Sequence, residues 1–336
     1  CKPNWTPAPG PAIWSNCYRA CGRGGKKVVV MRLRKPRLGI ALGSGSARGW
    51  AHIGVLRALE QAGIVPDIVS GTSIGALVGA AYASGRLDPL EEWVARIDWW
   101  EIIRYMDMSR GGVEGERLMR AFGERVEDVP IESLPKPFGA VATDLLTGRE
   151  VWFQNGSLLE AVRASIALPG LFSPVRFQER WLVDGGLVDP LPVSLCRALG
   201  AEQVIAVNLN GDIVGRRLPG RSTHRPASNP LLARLSTGWQ TVLGNLHDRL
   251  SPPEKEEDEP PSLFDVMAGS IHIMQDRITR ARMAGDPPDV VLAPRLAHLG
   301  LMDFDRAGEG IAIGMDCVRL HLPLLRDVLN LAEKPE

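Results

Sequence analysis

The chain has 336 residues, 45% of them apolar, which is enough to bury a full core in one large domain or two of ordinary size. Its 39 lysines and arginines balance 39 aspartates and glutamates, so no global field draws it to nucleic acid or to an anionic membrane. Any lipid contact has to be local and apolar.

No apolar run approaches the roughly 18 residues of a spanning helix. The five cysteines are too few for a disulfide framework, and Cys17 with Cys21 lacks a second pair or a nearby histidine to hold zinc. A soluble globular protein without metal or cofactor, cytoplasmic or peripheral to the membrane, is expected. Residues 1–34 carry Pro, Gly, Trp and basic residues without periodicity and lack the apolar core of a signal peptide. They read as a poorly ordered extension, with Met31 as the expected natural start.

RLGIAL (37–42) is a short apolar run that reads as a strand, and AHIGVLRALEQAG (51–63) places Ile53, Leu56 and Leu59 on one helical face before the stop at Gly63. IVPDIVSG reads as a second strand and IGALVGAAYASG as a helix whose small residues allow close packing. This βαβα order predicts a parallel sheet covered by helices. Residues 88–128 read as helices, with Trp93, Trp99, Trp100 and Tyr105 gathered in one stretch. Two strands joined by a turn follow in PFGAVATDLLTGREVWFQNG, and then a helix closed by Pro169 and Gly170. RWLVDGGLVDPLPVSLCRALG gives a strand, the turn Asp184-Gly185-Gly186 and a helix, and AEQVIAVNLN a buried strand. Arg, Pro and Ser clusters and the acidic SPPEKEEDEPP mark residues 211–261 as a flexible insertion. A helix over SLFDVMAGSIHIMQDRITRARM, a strand in PDVVLAPRL and a final helix complete the chain. The expected organisation is therefore an extension (1–34), an α/β domain (35–210), the insertion (211–261) and a C-terminal part (262–336) packing on that domain.

Gly71-Thr72-Ser73-Ile74-Gly75 fits the nucleophile elbow G-x-S-x-G, in which a sharp strand-to-helix turn presents the serine hydroxyl at a helix N-terminus. The same residues also suit an ordinary βα turn. A glycine-rich loop, Gly43-Ser44-Gly45-Ser46-Ala47-Arg48-Gly49, lies upstream. As a dinucleotide fingerprint it lacks the acidic residue closing the next strand, and as an NTPase phosphate loop it lacks Lys followed by Ser or Thr after the last glycine. As an oxyanion hole it needs only donors near Ser73, which two adjacent parallel strands would supply. Arg48 would stabilise that loop, meet a phosphate head group, or lie plainly on the surface.

A serine nucleophile needs a base. His224 and His247 fall in the insertion, His272 and His321 in helical patterns, and His52 on a helix where it packs or caps; His298 alone sits in a loop. Asp184, at a strand end with two glycines beside it, is the other candidate, although Asp-Gly is also a common plain turn. Acting without histidine, a carboxylate would have to be desolvated, because an unperturbed Asp titrates near 4.

With the loop ending Ser46-Ala47-Arg48-Gly49, the Gly71–Gly75 elbow and Asp184-Gly185-Gly186 in this order, the chain resembles the patatin-like phospholipase family. The phrases GWAHIGVLRALEQAGI, ASIALPGLFSPV and LVDGGLVDPLPV add to the resemblance. It implies a three-layer α/β/α sandwich around a mainly parallel sheet, and a Ser-Asp dyad matched by Ser73 and Asp184. The oxyanion loop is matched by Gly43–Gly49, with Ser44 interrupting the usual run of glycines and leaving the donating N–H groups open. The implied reaction is hydrolysis of phospholipid or lysophospholipid acyl esters through an acyl-enzyme. A lipid-binding or regulatory module with little catalysis is the alternative. By the same resemblance the Trp-rich stretch would cover an acyl chain or rest on a membrane surface, unless it is buried packing.

Overall fold

The five residues Leu38–Leu42 (β1) form a central strand with every side chain buried, as an apolar run without alternation requires. A computed structural model describes residues 35–97, 115–212 and 263–331. The extension 1–34, the aromatic residues Trp99, Trp100 and Tyr105, and nearly all of the 211–261 insertion lie outside the described residues. Within them, β1 is flanked on both sides by parallel neighbours, β2 (Ile68–Thr72) and β7 (Gln203–Val207).

The eight-stranded sheet runs through β5 (Val175–Phe177), β6 (Arg180–Asp184), β3 (Phe138–Asp144), β2, β1, β7 and β8 (Val290–Leu292), with β4 (Glu150–Phe153) paired to β3 off this path. Its parallel body comprises β3, β2, β1, β7 and β8. Antiparallel pairing is confined to one side, where β3 takes β4 and β6, and β6 takes β5. The sequence reading missed β5, a three-residue edge strand with no buried position to mark it.

Alternate residues of β1 serve the two faces of the sheet. Ile40 and Leu42 join a core with Ile53, Leu56 and Leu59 of α1 (Ala51–Gln61) and with Leu77 of α2 (Ile74–Ala83). Ala41 joins a second cluster with Val193 and Cys196 of α6 (Val193–Ala198). Helices thus cover both sides of a mixed, mostly parallel sheet, which is the expected three-layer sandwich. All ten residues of α2 are buried, as its run of small residues permits. Two more helices, α3 (Leu87–Val94) and α4 (Glu116–Gly123), follow on the same side of the chain order, before β3. In α5 (Leu158–Ser165) the N-terminus is closed by Ser157 Oγ, which accepts from the Glu160 N–H.

Two long helices come after the insertion, α7 (Leu263–Gly285) and α8 (Ala307–Val328). A Cβ on Gly54 of α1 would overlap the Ile311 carbonyl of α8, and one on Gly314 of α8 would overlap the Ala51 carbonyl. These glycines let the two backbones touch, so α8 is seated on the first turns of α1. Trp93 is buried with the Arg125 guanidinium 4.9 Å from its ring centroid, so for this tryptophan the packing reading holds.

Candidate active site

Strand β2 ends at Thr72, and Ser73 stands between it and α2 with φ 58° and ψ −126°, a region that L residues rarely occupy. The strain is maintained by the surroundings. The Ser165 Oγ accepts from the Ser73 N–H (2.9 Å) while donating its own proton to the Val141 carbonyl (2.6 Å). Glycine is required on both flanks: a Cβ on Gly71 would overlap the Gly75 carbonyl, and one on Gly75 would overlap the Leu42 carbonyl.

Strand β3 separates β2 from β6, with Thr72 opposite Val141 and Ala142 opposite Asp184. This register carries Asp184 across to the serine. The Ser73 hydroxyl donates to Asp184 Oδ2 at 2.5 Å, and Oδ1 accepts the Gly186 N–H at 2.7 Å. The Asp184 backbone is fixed as well, its carbonyl taking the Thr143 hydroxyl (2.7 Å) and its N–H reaching the Ala167 carbonyl (2.9 Å). Only 1% of Asp184 is exposed, and burial pushes its carboxyl up to about 7, against the opposing pull of the hydrogen bonds from Ser73 and Gly186. A carboxylate poised there can accept a hydroxyl proton near neutral pH, which an aspartate at its ordinary value does poorly.

The glycine-rich loop leaves β1 beside this pair. Most of its N–H groups are already engaged: Gly43 with the Val207 carbonyl (3.1 Å), Ser44 with Pro190 (2.8 Å), Ala47 with Leu301 (3.2 Å) and Arg48 with Gly45 (3.3 Å). Those of Gly45 and Ser46 have no acceptor among the described residues. Together with Ser44 and Ser73 they border about 10 Å³ of free space. The Ser44 hydroxyl, also on this space, is buried without a partner among the described residues.

A patatin-like phospholipase family model matches residues 40–197, the span that holds the loop, the elbow and Asp184. An uncharacterized NTE family protein of Mycobacterium tuberculosis (strain H37Rv) is 36% identical over 331 residues, covering 85% of this chain and 92% of that protein. The chain belongs to the patatin-like phospholipase family. Lysophospholipase NTE1 of Pyricularia oryzae is 30% identical over 307 residues, which is 89% of this chain and 19% of the fungal protein. Among solved structures, VipD from Legionella pneumophila matches with a TM-score of 0.38 and 12% identity, over 86% of this chain and 68% of that one. Membership of the patatin-like family, with these lysophospholipase relatives, supports lipid hydrolase activity.

Around this patatin-like core the structure corrects and extends the sequence reading. Arg48 is not a surface residue: it is 1% exposed, its Nε donates to the Gly45 carbonyl (3.3 Å), and a terminal nitrogen meets His272 Nε2 at 2.5 Å. Burial pulls its guanidinium down to about 10, offset in part by the charge of Asp212. Its role in the fold is to brace the loop. His272, assigned from the sequence only to a helix, is held down to about 3 by burial and then by the Arg48 charge, so it stands neutral and accepts at Nε2. His52 is fully buried with Nε2 2.7 Å from the Gly43 carbonyl, which requires that nitrogen to carry the proton; burial lowers its pKa to about 4. His298 pairs with Glu309 at 2.9 Å on an exposed surface and does not border the space above Ser73.

Two further parts of the site were visible in the sequence only as a family-like phrase and a helix, with nothing to assign them to the site. Asp189–Pro192 ties the motifs together, its carbonyls accepting from Ser44 N–H (Pro190), Thr72 Oγ1 (Asp189, 2.8 Å) and Ser70 Oγ (Pro192, 2.8 Å). Helix α7 closes the space from above with Ile271, His272 and Gln275, joined by Leu168 and Leu301. Its C-terminal half is bolted down: Arg282 donates to the Val188 carbonyl (2.9 Å) and pairs with Glu150, and Asp286 accepts from Ser194 and Arg197, both at 2.9 Å. Among the described residues no group of three or more His, Cys, Asp or Glu is arranged to hold a metal ion.

Proposed function

We propose that the chain is a serine acyl hydrolase that cleaves fatty-acyl esters of phospholipids or lysophospholipids, with Ser73 as nucleophile and Asp184 as its base. The observation that carries this reading is the 2.5 Å hydrogen bond from a strained, elbow-mounted serine to a buried carboxylate whose pKa is about 7. In the first half-reaction Ser73 Oγ attacks the ester carbonyl while its proton passes to Asp184. Negative charge then develops on the carbonyl oxygen, where the free N–H groups of Gly45 and Ser46 are the donors and the N-terminus of α2 adds positive potential. As the intermediate collapses, Asp184 returns the proton to the departing alcohol, leaving an acyl-Ser73 ester. Water attacks that ester, Asp184 again takes and returns a proton, and the fatty acid leaves with Ser73 restored.

In this scheme Gly71 and Gly75 keep the elbow sharp, and Gly185 and Gly186 allow Asp184 to approach it. The remaining loop residues, Gly43, Ser44, Ala47, Arg48 and Gly49, position the two donors instead of donating by backbone N–H. A second reading, a lipid-binding or regulatory module with little catalysis, is favoured by one observation: the free space above Ser73 is only about 10 Å³. Fatty-acid release from a panel of phospholipids, lysophospholipids and simple esters, with Ser73→Ala and Asp184→Asn beside the wild type, decides between them. Equal release by wild type and Ser73→Ala would overturn the catalytic reading.

A further inference from the structure

Helix α7 is built inside out over the candidate active site. A helix on the surface of a globular protein ordinarily turns its apolar face inward and its polar face to water. Here most inward positions are polar: Gln275, Asp276 and Thr279 are buried and His272 meets Arg48, with Ile271 the apolar residue facing the space above Ser73. The outward positions are apolar, with Val266, Met267, Ile273 and Met274 between 41% and 54% exposed. Further along, the same outer face carries Arg277 and Arg280, and no carboxylate is exposed between residues 266 and 284. The one acid in that span, Asp276, is 4% exposed and accepts from Arg280 at 2.8 Å.

From this reversal we infer that the outer face of α7 docks on the surface of an anionic phospholipid bilayer, and that docking draws the N-terminal half of the helix off Ser73. The inference rests on the acyl-hydrolase reading and supplies its missing step. A pocket for a lipid-sized ligand measures hundreds of Å³, whereas α7 leaves about 10 Å³ above the serine. Some part of the cover has to leave before an ester enters. The two halves of α7 differ in the way this requires. Arg282 and the following Asp286 are fastened to Val188, Glu150, Ser194 and Arg197. Nearer the serine, the cover is held through side-chain contacts of His272 with Arg48 and of Gln275 Oε1 with Asn210 (3.1 Å).

A bilayer fits this face better than a protein partner. Exposed apolar side chains followed by arginines match an acyl layer bordered by phosphates, and the substrate class places the ester in that layer. No described helix is long and apolar enough to cross a membrane, so the contact is with the surface.

Flotation with vesicles of equimolar phosphatidylcholine and phosphatidylglycerol tests the docking, using full-length Ser73→Ala so that no lipid is consumed. Adding Ile273→Gln with Met274→Gln is expected to lower the bound fraction constant about tenfold, and Arg277→Gln with Arg280→Gln also about tenfold. Thermal melts matching the parent show that the fold is intact. Both double variants floating like the parent would overturn the inference. So would a lipid-free dimer that Ile273→Gln with Met274→Gln returns to monomer, which would make a second copy the occupant. In the otherwise wild-type chain, the vesicles should speed fluorophosphonate labelling of Ser73 by about tenfold or more. Unchanged labelling of vesicle-bound protein would overturn the uncovering. Because flotation does not depend on Ser73, loss of docking counts against this inference and loss of fatty-acid release against the catalytic reading.

Discussion

Ser73 has a floor and a roof, and the two are made differently. The floor consists of strand ends whose backbones touch: Gly71 against Gly75, Gly75 against Leu42, and Gly185 against Val141. The roof is one helix whose half nearer Ser73 rests on side-chain contacts, with a largely polar underside and an outer surface that is apolar and then basic. A floor in which glycine backbones approach this closely leaves the strand ends little room to shift, which holds the serine and carboxylate aligned. A roof held by a few polar side chains can lift without disturbing that alignment.

The largest effects are expected in the floor. Ser73→Ala should lower fatty-acid release by about 10⁴-fold or more and Asp184→Asn by about 10³-fold or more, with melting temperatures retained, as read from initial rates and thermal melts. A milder loss in Asp184→Asn would mean that the base lies elsewhere. The pH profile comes next. In the proposed scheme the acting form of Asp184 is the carboxylate, and with its pKa at about 7 kcat/KM should fall about tenfold per pH unit below that value and level off above it. Asp184→Asn should abolish this limb.

Stability should run the opposite way. The folded carboxyl titrates near 7 and the unfolded one near 3.8, so between those values the native state holds the extra proton and wild-type stability declines as pH rises. Asp184→Asn has no proton to lose. Its melting temperature relative to wild type should therefore climb between pH 4 and pH 7 and stay level beyond.

The roof should respond less. His272→Ala removes the acceptor of one terminal nitrogen of the buried Arg48 guanidinium and should cost about 1–3 kcal/mol in denaturant unfolding, while hydrolysis of a small soluble ester persists. Loss of that hydrolysis as complete as in Ser73→Ala would place His272 in the floor's chemistry instead. Smallest of all, His298→Ala should change the rate by less than about twofold, since its partner is Glu309 at the surface.

The same contrast explains what could be read from the sequence. Backbone collisions demand glycine at fixed spacing, so the elbow and Asp184-Gly185-Gly186 were legible as short strings. The apolar runs of β1, β2 and β7 were legible because a doubly covered parallel strand has no exposed position. Side-chain contacts between remote segments leave no such mark. Arg48 and His272 are 224 residues apart, and nothing near either signals the other. A lone arginine beside a glycine-rich loop therefore read as readily as a surface residue. The loop itself was visible, but which of its N–H groups are free depends on carbonyls of Val207, Pro190 and Leu301 that only the fold brings near. β5 escaped because its three residues lie at an edge, half-exposed.

The clamp on the loop also has an order in time. Ser46, at φ 50°, is held by its hydroxyl on the Leu301 carbonyl (2.7 Å), a partner 255 residues further along the chain. As the polypeptide emerges from the ribosome, β1, α1, the elbow and Asp184 are all present long before Leu301 and α8. A nascent chain at that stage holds Ser73 and Asp184 without the brace on the glycine-rich loop. Under the proposed chemistry, competence would thus be conferred late in synthesis, when the segment carrying Leu301 arrives to lock a loop made 255 residues earlier.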